Sequence, residues 1–262
     1  MKLRILAAGA ALVAATALLA GCSAGTPTAS PSPSSAALSG SIVVDAASSL
    51  TGTFDTVAES FEKAHPGTKI TFNYGGSGAL AAAIVSGAPV DVFAAASPAT
   101  MKIVSTANLV KGTPQTFVKN ELEIVVPAGN PGQVTGLADF AIVSKKIALC
   151  EPTQPCGAAA AAVFLDAKIV PKPDTLEPDV KAALTAAELN QVDASMVYHT
   201  DVLSGGSKVE GIEFPSASKF IVSYPIAPLT SSKNPTLAAA FASYVLSAPA
   251  QQILKNAGFI AD

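Results

Sequence analysis

Two hydroxyl-bearing turns carry the chemistry that this sequence can be read for. Ser48-Ser49 follows the β-branched run Ile42-Val43-Val44, and Gly75-Gly76-Ser77-Gly78 follows the extended stretch Lys69 to Asn73. Both turns lie between a strand pattern and a helix pattern, where unpaired N–H groups of a helix start and a serine O–H converge on one anion. For either turn alone, a helix-capping serine accounts for the same residues; two turns in equivalent positions favour an oxyanion site. Neither turn holds Lys or Arg, so dipoles would meet the charge and no fixed cation would retain it, which suits reversible capture. Neither holds a carboxylate that could accept a proton, which favours a fully ionised tetrahedral anion; Asp45, at the end of the first strand, would contradict this if its side chain entered the site. Gly-Gly-Ser-Gly lacks the Lys-Ser/Thr of a P-loop and the spacing of a dinucleotide turn, which argues against nucleotide binding.

An enzyme reading needs a base beside a nucleophile, and the only histidines are His65 and His199. His65 precedes Pro66-Gly67 at a helix end, a solvated capping position. His199 follows Tyr198, and adjacent strand residues face opposite ways, so one of the two points at a ligand and the other away. A surface hydrolase using Ser49 or Ser77 with His199 stays open as an alternative, without a Gly-x-Ser-x-Gly elbow to support it.

The elements that would position these turns recur as a unit. Phe54, Val57, Ala58 and Phe61 have helical spacing, an Ala-rich helix runs from Ala79 to about Ser86, and strand Asp91 to Ala95 is followed by a helix starting at Ser97-Pro98. The pattern restarts with strand Leu122 to Val126, strand Lys146 to Leu149, the turn Cys150 to Cys156, helix Gly157 to Asp166 and helix Pro178 to Ala187. Ala194 to Tyr198 reads as a buried strand and Lys219 to Ile226 as a longer one, before helices Pro235 to Leu246 and Pro249 to Asn256. Alternating strands and helices predict an α/β fold of two lobes, each a mainly parallel sheet flanked by helices. One lobe is expected to comprise residues 41–120 and 224–262 and the other 121–223, with the ligand in the cleft between them.

The chain has 262 residues, 50% hydrophobic and 13% charged, with a net charge of −3. That excludes a disordered chain, and with no basic cluster beyond Lys145-Lys146 it gives no footprint for nucleic acid. Lys2 and Arg4 precede an uncharged apolar run from Ile5 to Ala20, an export signal over residues 1–21. Leu19-Ala20-Gly21-Cys22 resembles the bacterial lipobox, which implies a lipid on Cys22 and retention at the outer face of the cell membrane. Residues 22–40, rich in Ser, Ala, Thr, Pro and Gly, read as a flexible tether. A globule on a stalk suits both capture proteins and surface enzymes.

Asp45-Ala46-Ala47-Ser48-Ser49-Leu50-Thr51, Tyr74 to Leu80 and Ser86-Gly87-Ala88-Pro89-Val90-Asp91-Val92-Phe93 resemble, in order and spacing, the molybdate-binding proteins of ABC importers. Glu177 to Val180, Met196 to Asp201, Ser223 to Ile226 and Ala257-Gly258-Phe259 agree, so that the likeness covers residues 41–262. The resemblance implies a type II periplasmic-binding-protein-like fold that captures molybdate, and tungstate of nearly the same size, and delivers it to an ABC permease without catalysis or cofactor. It places Ser49 and Ser77 as hydroxyl and N–H donors from one lobe. Cys156 and Val180 are implied N–H donors, and Tyr198 an O–H donor, from the other. Ser48, where the family often has Ala, and Gly76 are secondary candidates. A small uncharged residue is usual at the Cys156 position; if only its N–H is used, its side chain is free to pair with Cys150, and the oxidising compartment favours that disulfide. Two cysteines without a His or carboxylate set are too few for a metal site. The expected state is a monomer. Another tetrahedral dianion such as sulfate remains open, because donors count oxygens and the sequence does not show cavity radius.

Overall fold

The computed structural model describes residues 37–262. The export signal over residues 1–21 and the lipidated Cys22 lie outside the described residues, as does most of the tether. The tether's last residues do not fit that reading. Leu38 packs against the core, the Ser39 carbonyl accepts from Asn234 Nδ2 at 2.9 Å, and Gly40 already pairs with Thr68.

From Gly40 the chain builds β1 (Gly40–Ala47), a 3-10 turn over Ser48–Leu50, α1 (Thr53–Ala64), β2 (Thr68–Gly75), α2 (Ser77–Val85), β3 (Val92–Ala94) and α3 (Pro98–Thr106). The apolar stripe of α1, Phe54, Val57, Ala58 and Phe61, is buried as its spacing predicts. Ser97 caps α3 by accepting from Thr100 N, with Pro98 at the first helical position. β4 (Gln115–Asn120) and β5 (Leu122–Pro127) follow with one residue between them, then β6 (Ile147–Cys150), α4 (Pro155–Asp166), β7 (Thr175–Glu177), α5 (Val180–Glu188), β8 (Ala194–Tyr198), α6 (His199–Gly205) and β9 (Val209–Ile212). The chain ends with β10 (Val222–Pro228), α7 (Pro235–Val245), α8 (Ala248–Asn256) and β11 (Ile260–Ala261).

Two sheets result, one in the order β11-β4-β10-β3-β1-β2 and one in the order β7-β6-β8-β5-β9. The chain passes from the first to the second between β4 and β5, and β10 returns it. The parallel character expected of each sheet holds for β2-β1-β3 and β7-β6-β8, where helices make the crossovers; the strands that carry the chain between sheets pair antiparallel. The expected long strand from Lys219 is shorter: Ala217–Phe220 forms a 3-10 turn, and the strand starts at Val222. β4, β7, β9 and β11 have no counterpart among the expected elements; β7 and β11 are only 3 and 2 residues long and mostly exposed, too short for a period to register.

Candidate functional site

The parallel triads are the same device built twice. In each, a central strand (β1 or β6) is flanked by the next two parallel strands of its sheet, and their carboxyl ends meet across one small cavity. From the first sheet come Ala47, Ser48 and Ser49 at the end of β1, Gly75 to Ser77 at the end of β2 and Ala96 after β3. From the second come Gln154 to Cys156 after β6, Asp179-Val180 after β7 and Tyr198 at the end of β8. The atom-free space is about 200 Å³, part of it open to solvent. All seven residues singled out for ligand contact, Ser49, Ser77, Cys156, Val180, Tyr198, Ser48 and Gly76, line it, and among the described residues no Lys, Arg or His does.

Helix starts supply the backbone donors. Ser77 is the first residue of α2, Cys156 the second of α4 and Val180 the first of α5, positions whose N–H groups have no partner within their own helix. Asp179 accepts from Lys181 N at 2.8 Å and Ala182 N at 3.1 Å and so leaves Val180 N for the cavity. Its carboxylate caps α5 and does not compete for the anion's donor. Cys150 and Cys156 form a disulfide across the turn before α4, with their Cα atoms 5.8 Å apart.

The hydroxyls are set from behind. Ser77 Oγ accepts from Ala96 N at 3.0 Å, and Ser49 Oγ lies 3.0 Å from the Tyr224 hydroxyl, both pairs buried. Among the described residues no group lies within hydrogen-bond geometry of the buried Tyr198 hydroxyl, and burial, with the Tyr224 phenol nearby, pushes its pKa well above the ordinary phenol value, so it stays an O–H donor. Its backbone N–H donates to Asp201 Oδ2 at 3.2 Å. Burial pushes the Asp201 carboxyl up to about 7, against the opposing pull of Lys181 and of that N–H. Asp45 is not among the cavity residues. Its Oδ1 accepts from Asn73 Nδ2 at 2.9 Å, so its side chain stays out of the site, and the carboxylate that lines the cavity is that of Asp179.

The two halves touch across the cavity. Gln154, ahead of α4, accepts from Gly78 N of α2 at 3.0 Å and thereby caps a helix packed on the other sheet. A Cβ at Gly76 would meet Gln154 Oε1 at 2.3 Å and the Pro178 carbonyl at 2.5 Å, and one at Gly78 would meet the Thr153 carbonyl at 2.5 Å. These glycines are therefore demanded by close approach. Gln154, Tyr224 and Asn120 escaped sequence reasoning, because their roles depend on contacts 76 to 175 residues away.

His199 starts α6 rather than extending β8, and it still points away from the cavity, with Nδ1 2.7 Å from Glu123 Oε2. His65 packs against Phe61 at a centroid distance of 4.6 Å, the rings tilted by 49°. Neither serine is hydrogen-bonded to an imidazole: Ser49 meets Tyr224 and Ser77 meets Ala96 N. Among the described residues, the cavity brings these donors together without an imidazole beside either serine.

The model of a bacterial extracellular solute-binding protein matches residues 42–260. The chain belongs to that family. Within it, the chain is 36% identical over 242 residues to the molybdate-binding protein ModA of Mycobacterium tuberculosis strain H37Rv, spanning 92% of either chain. Two solved structures share the solute-binding fold at a TM-score of 0.72. They are the periplasmic molybdate-binding protein of Azotobacter vinelandii, at 21% identity and covering 84% of this chain and 99% of that one, and the sulfate-binding protein SubI of M. tuberculosis, at 17% and covering 84% and 86%. As an extracellular solute-binding protein the chain works outside the cytoplasm and is not an enzyme, and what it holds is cargo rather than a cofactor.

Proposed function

We propose that this solute-binding protein captures molybdate, and tungstate as well, and delivers it to the permease of an ABC importer. In this reading it works as a monomer held to the outer face of the cell membrane by a lipid on Cys22. The observation that carries the cargo is the convergence of donors from two sheets on one cation-free cavity, in which the Tyr198 hydroxyl has no partner of its own. The ligand of the M. tuberculosis relative supports it. Ser49 and Ser77 donate O–H and N–H from the first sheet; Cys156 N–H, Val180 N–H and Tyr198 O–H complete the shell from the second. Because each half supplies part of the shell, the ligand favours the closed form by as much as it binds that form better than the open one.

The second reading, sulfate as cargo, draws on the fold shared with SubI. Calorimetric titration of the anion-stripped chain in sulfate-free buffer separates the two. Molybdate and tungstate are expected to bind with submicromolar dissociation constants and sulfate far more weakly. Preference for sulfate would reassign the cargo, and no response to any oxyanion would sink the capture reading.

A further inference from the structure

We propose that Gln154 is a latch that closes the two halves on each other without help from the ligand, so that its hydrogen bond sets how much of the ligand-free protein is already closed and, through that fraction, how tightly any oxyanion is held. This rests on the oxyanion reading above for what is held, but not for the closure, which can be read with no ligand present.

Ser77 opens α2, and the first hydrogen bond inside that helix runs from Leu80 N to Gly76 O at 3.0 Å. The N–H groups of Ser77, Gly78 and Ala79 are therefore left over by the helix itself. Ser77 stands on the cavity wall, and Gly78 N donates to Gln154 Oε1 at 3.0 Å. An amide oxygen from the second half thus fills a place at this helix start that water or an anion would otherwise take. Gln154 is only 4% exposed and directly precedes α4, whose first residue, Pro155, fixes the backbone behind it. Gly76 and Gly78 admit the amide because neither carries a Cβ.

Asn120 Nδ2 also joins the halves, donating to Thr200 Oγ1 at 2.8 Å, but it does so beside the crossing from β4 to β5, where the chain itself holds them together in any state. The donors assigned to the oxyanion join the halves only through the oxyanion. The bond from Gly78 to Gln154 needs neither: separation of the halves hydrates both groups, and closure re-forms the bond whether or not the cavity is filled. One neutral hydrogen bond moves such an equilibrium about fivefold. The apparent dissociation constant is the intrinsic one divided by the closed fraction, so the latch lowers it by up to that factor, and by the same factor for each anion. Ser49, Ser77 and Tyr198 decide which anion is held, and Gln154 decides how readily the halves meet around it.

The test is amide hydrogen exchange in the ligand-free full chain, followed residue by residue by NMR, in the parent and in Gln154→Met, which keeps the length of the side chain and puts a poorly accepting thioether in place of the amide. Gly78 N–H is expected to be protected in the parent and to exchange about fivefold faster in the variant. Leu80 N–H, whose bond lies inside α2, should exchange at the same rate in both. Molybdate, tungstate and sulfate titrated into the two proteins should each lose up to about fivefold in affinity, by a common factor. An unprotected Gly78 amide in the parent, or unchanged exchange in the variant, would overturn the latch. So would acceleration at Leu80 as well, which would make Gln154 a support of the α2 fold, and a loss confined to one anion, which would make it a ligand contact. A parent chain that protects Gly78 but binds no oxyanion overturns the capture reading and leaves the latch standing.

Discussion

In the first sheet the cavity is faced by serine hydroxyls whose oxygens are held by Tyr224 and by Ala96 N–H; in the second, Cys156 and Val180 stand at helix starts, where the backbone donates whatever the side chain is. The first half depends on residue type and the second on geometry. That contrast explains why the first could be read as an oxyanion site from serine, glycine and their order, while Cys156 and Val180 came into view only through family resemblance. It also predicts that the two halves fail differently. Substitution should break the first, whereas in the second the donors at Cys156 and Val180 should fail only when a helix end moves, and Tyr198 alone is open to substitution.

The largest effect is expected from Ser49→Ala with Ser77→Ala. Each hydroxyl bond to a charged ligand contributes about 1.5–3 kcal/mol, so the pair should lower oxyanion affinity at least about a hundredfold in calorimetry. A melting curve separates this from damage to Ala96 and Tyr224, whose hydrogen-bond partners are removed. Undiminished affinity would take both serines out of the site and erase the contrast.

Next comes Gly78→Ala, which removes no donor. Its Cβ would sit 2.5 Å from the Thr153 carbonyl, backbone against side chain, so the halves must separate for it to fit. Affinity should fall about tenfold or more. Small-angle scattering with saturating ligand should show a more open particle than the parent. Full closure and parent affinity would mean that the contact through Gln154 and Thr153 does not govern the cavity.

The smallest effect on binding is expected from Cys150→Ser with Cys156→Ser. Releasing so short a loop should cost roughly 2 kcal/mol of stability, read in denaturant. Affinity should change less than about threefold, because Cys156 contributes its N–H and that donor survives the substitution. A large loss of affinity would instead mean that the disulfide, and not the start of α4, positions the donor.

Much of the first half was legible because its logic is local. Strand, hydroxyl turn and helix follow within some fifteen residues of each other, and the apolar spacing of Phe54 to Phe61, the Ser97-Pro98 start and the buried run Ala194 to Tyr198 all appear as read. The missed β4 shows the limit. Its six residues alternate poorly, and their pairing with β10 is formed with a segment more than a hundred residues later. The misread stretch from Lys219 shows another: an apolar run predicts burial but does not say where extended backbone begins.

By itself, the sequence determined which residues offer donors, that no cation accompanies them, and that they fall at the junctions of strand and helix, since these follow from residue chemistry and short-range periodicity. Only the tertiary structure decided that the two triads face one another, that Gln154 caps a helix of the other half through Gly78, and that Asn120 and Tyr224 stand behind Ser49. The direction in which a hydroxyl proton points depends on what packs against its oxygen, and here that neighbour lies 175 residues away, beyond the reach of any local pattern.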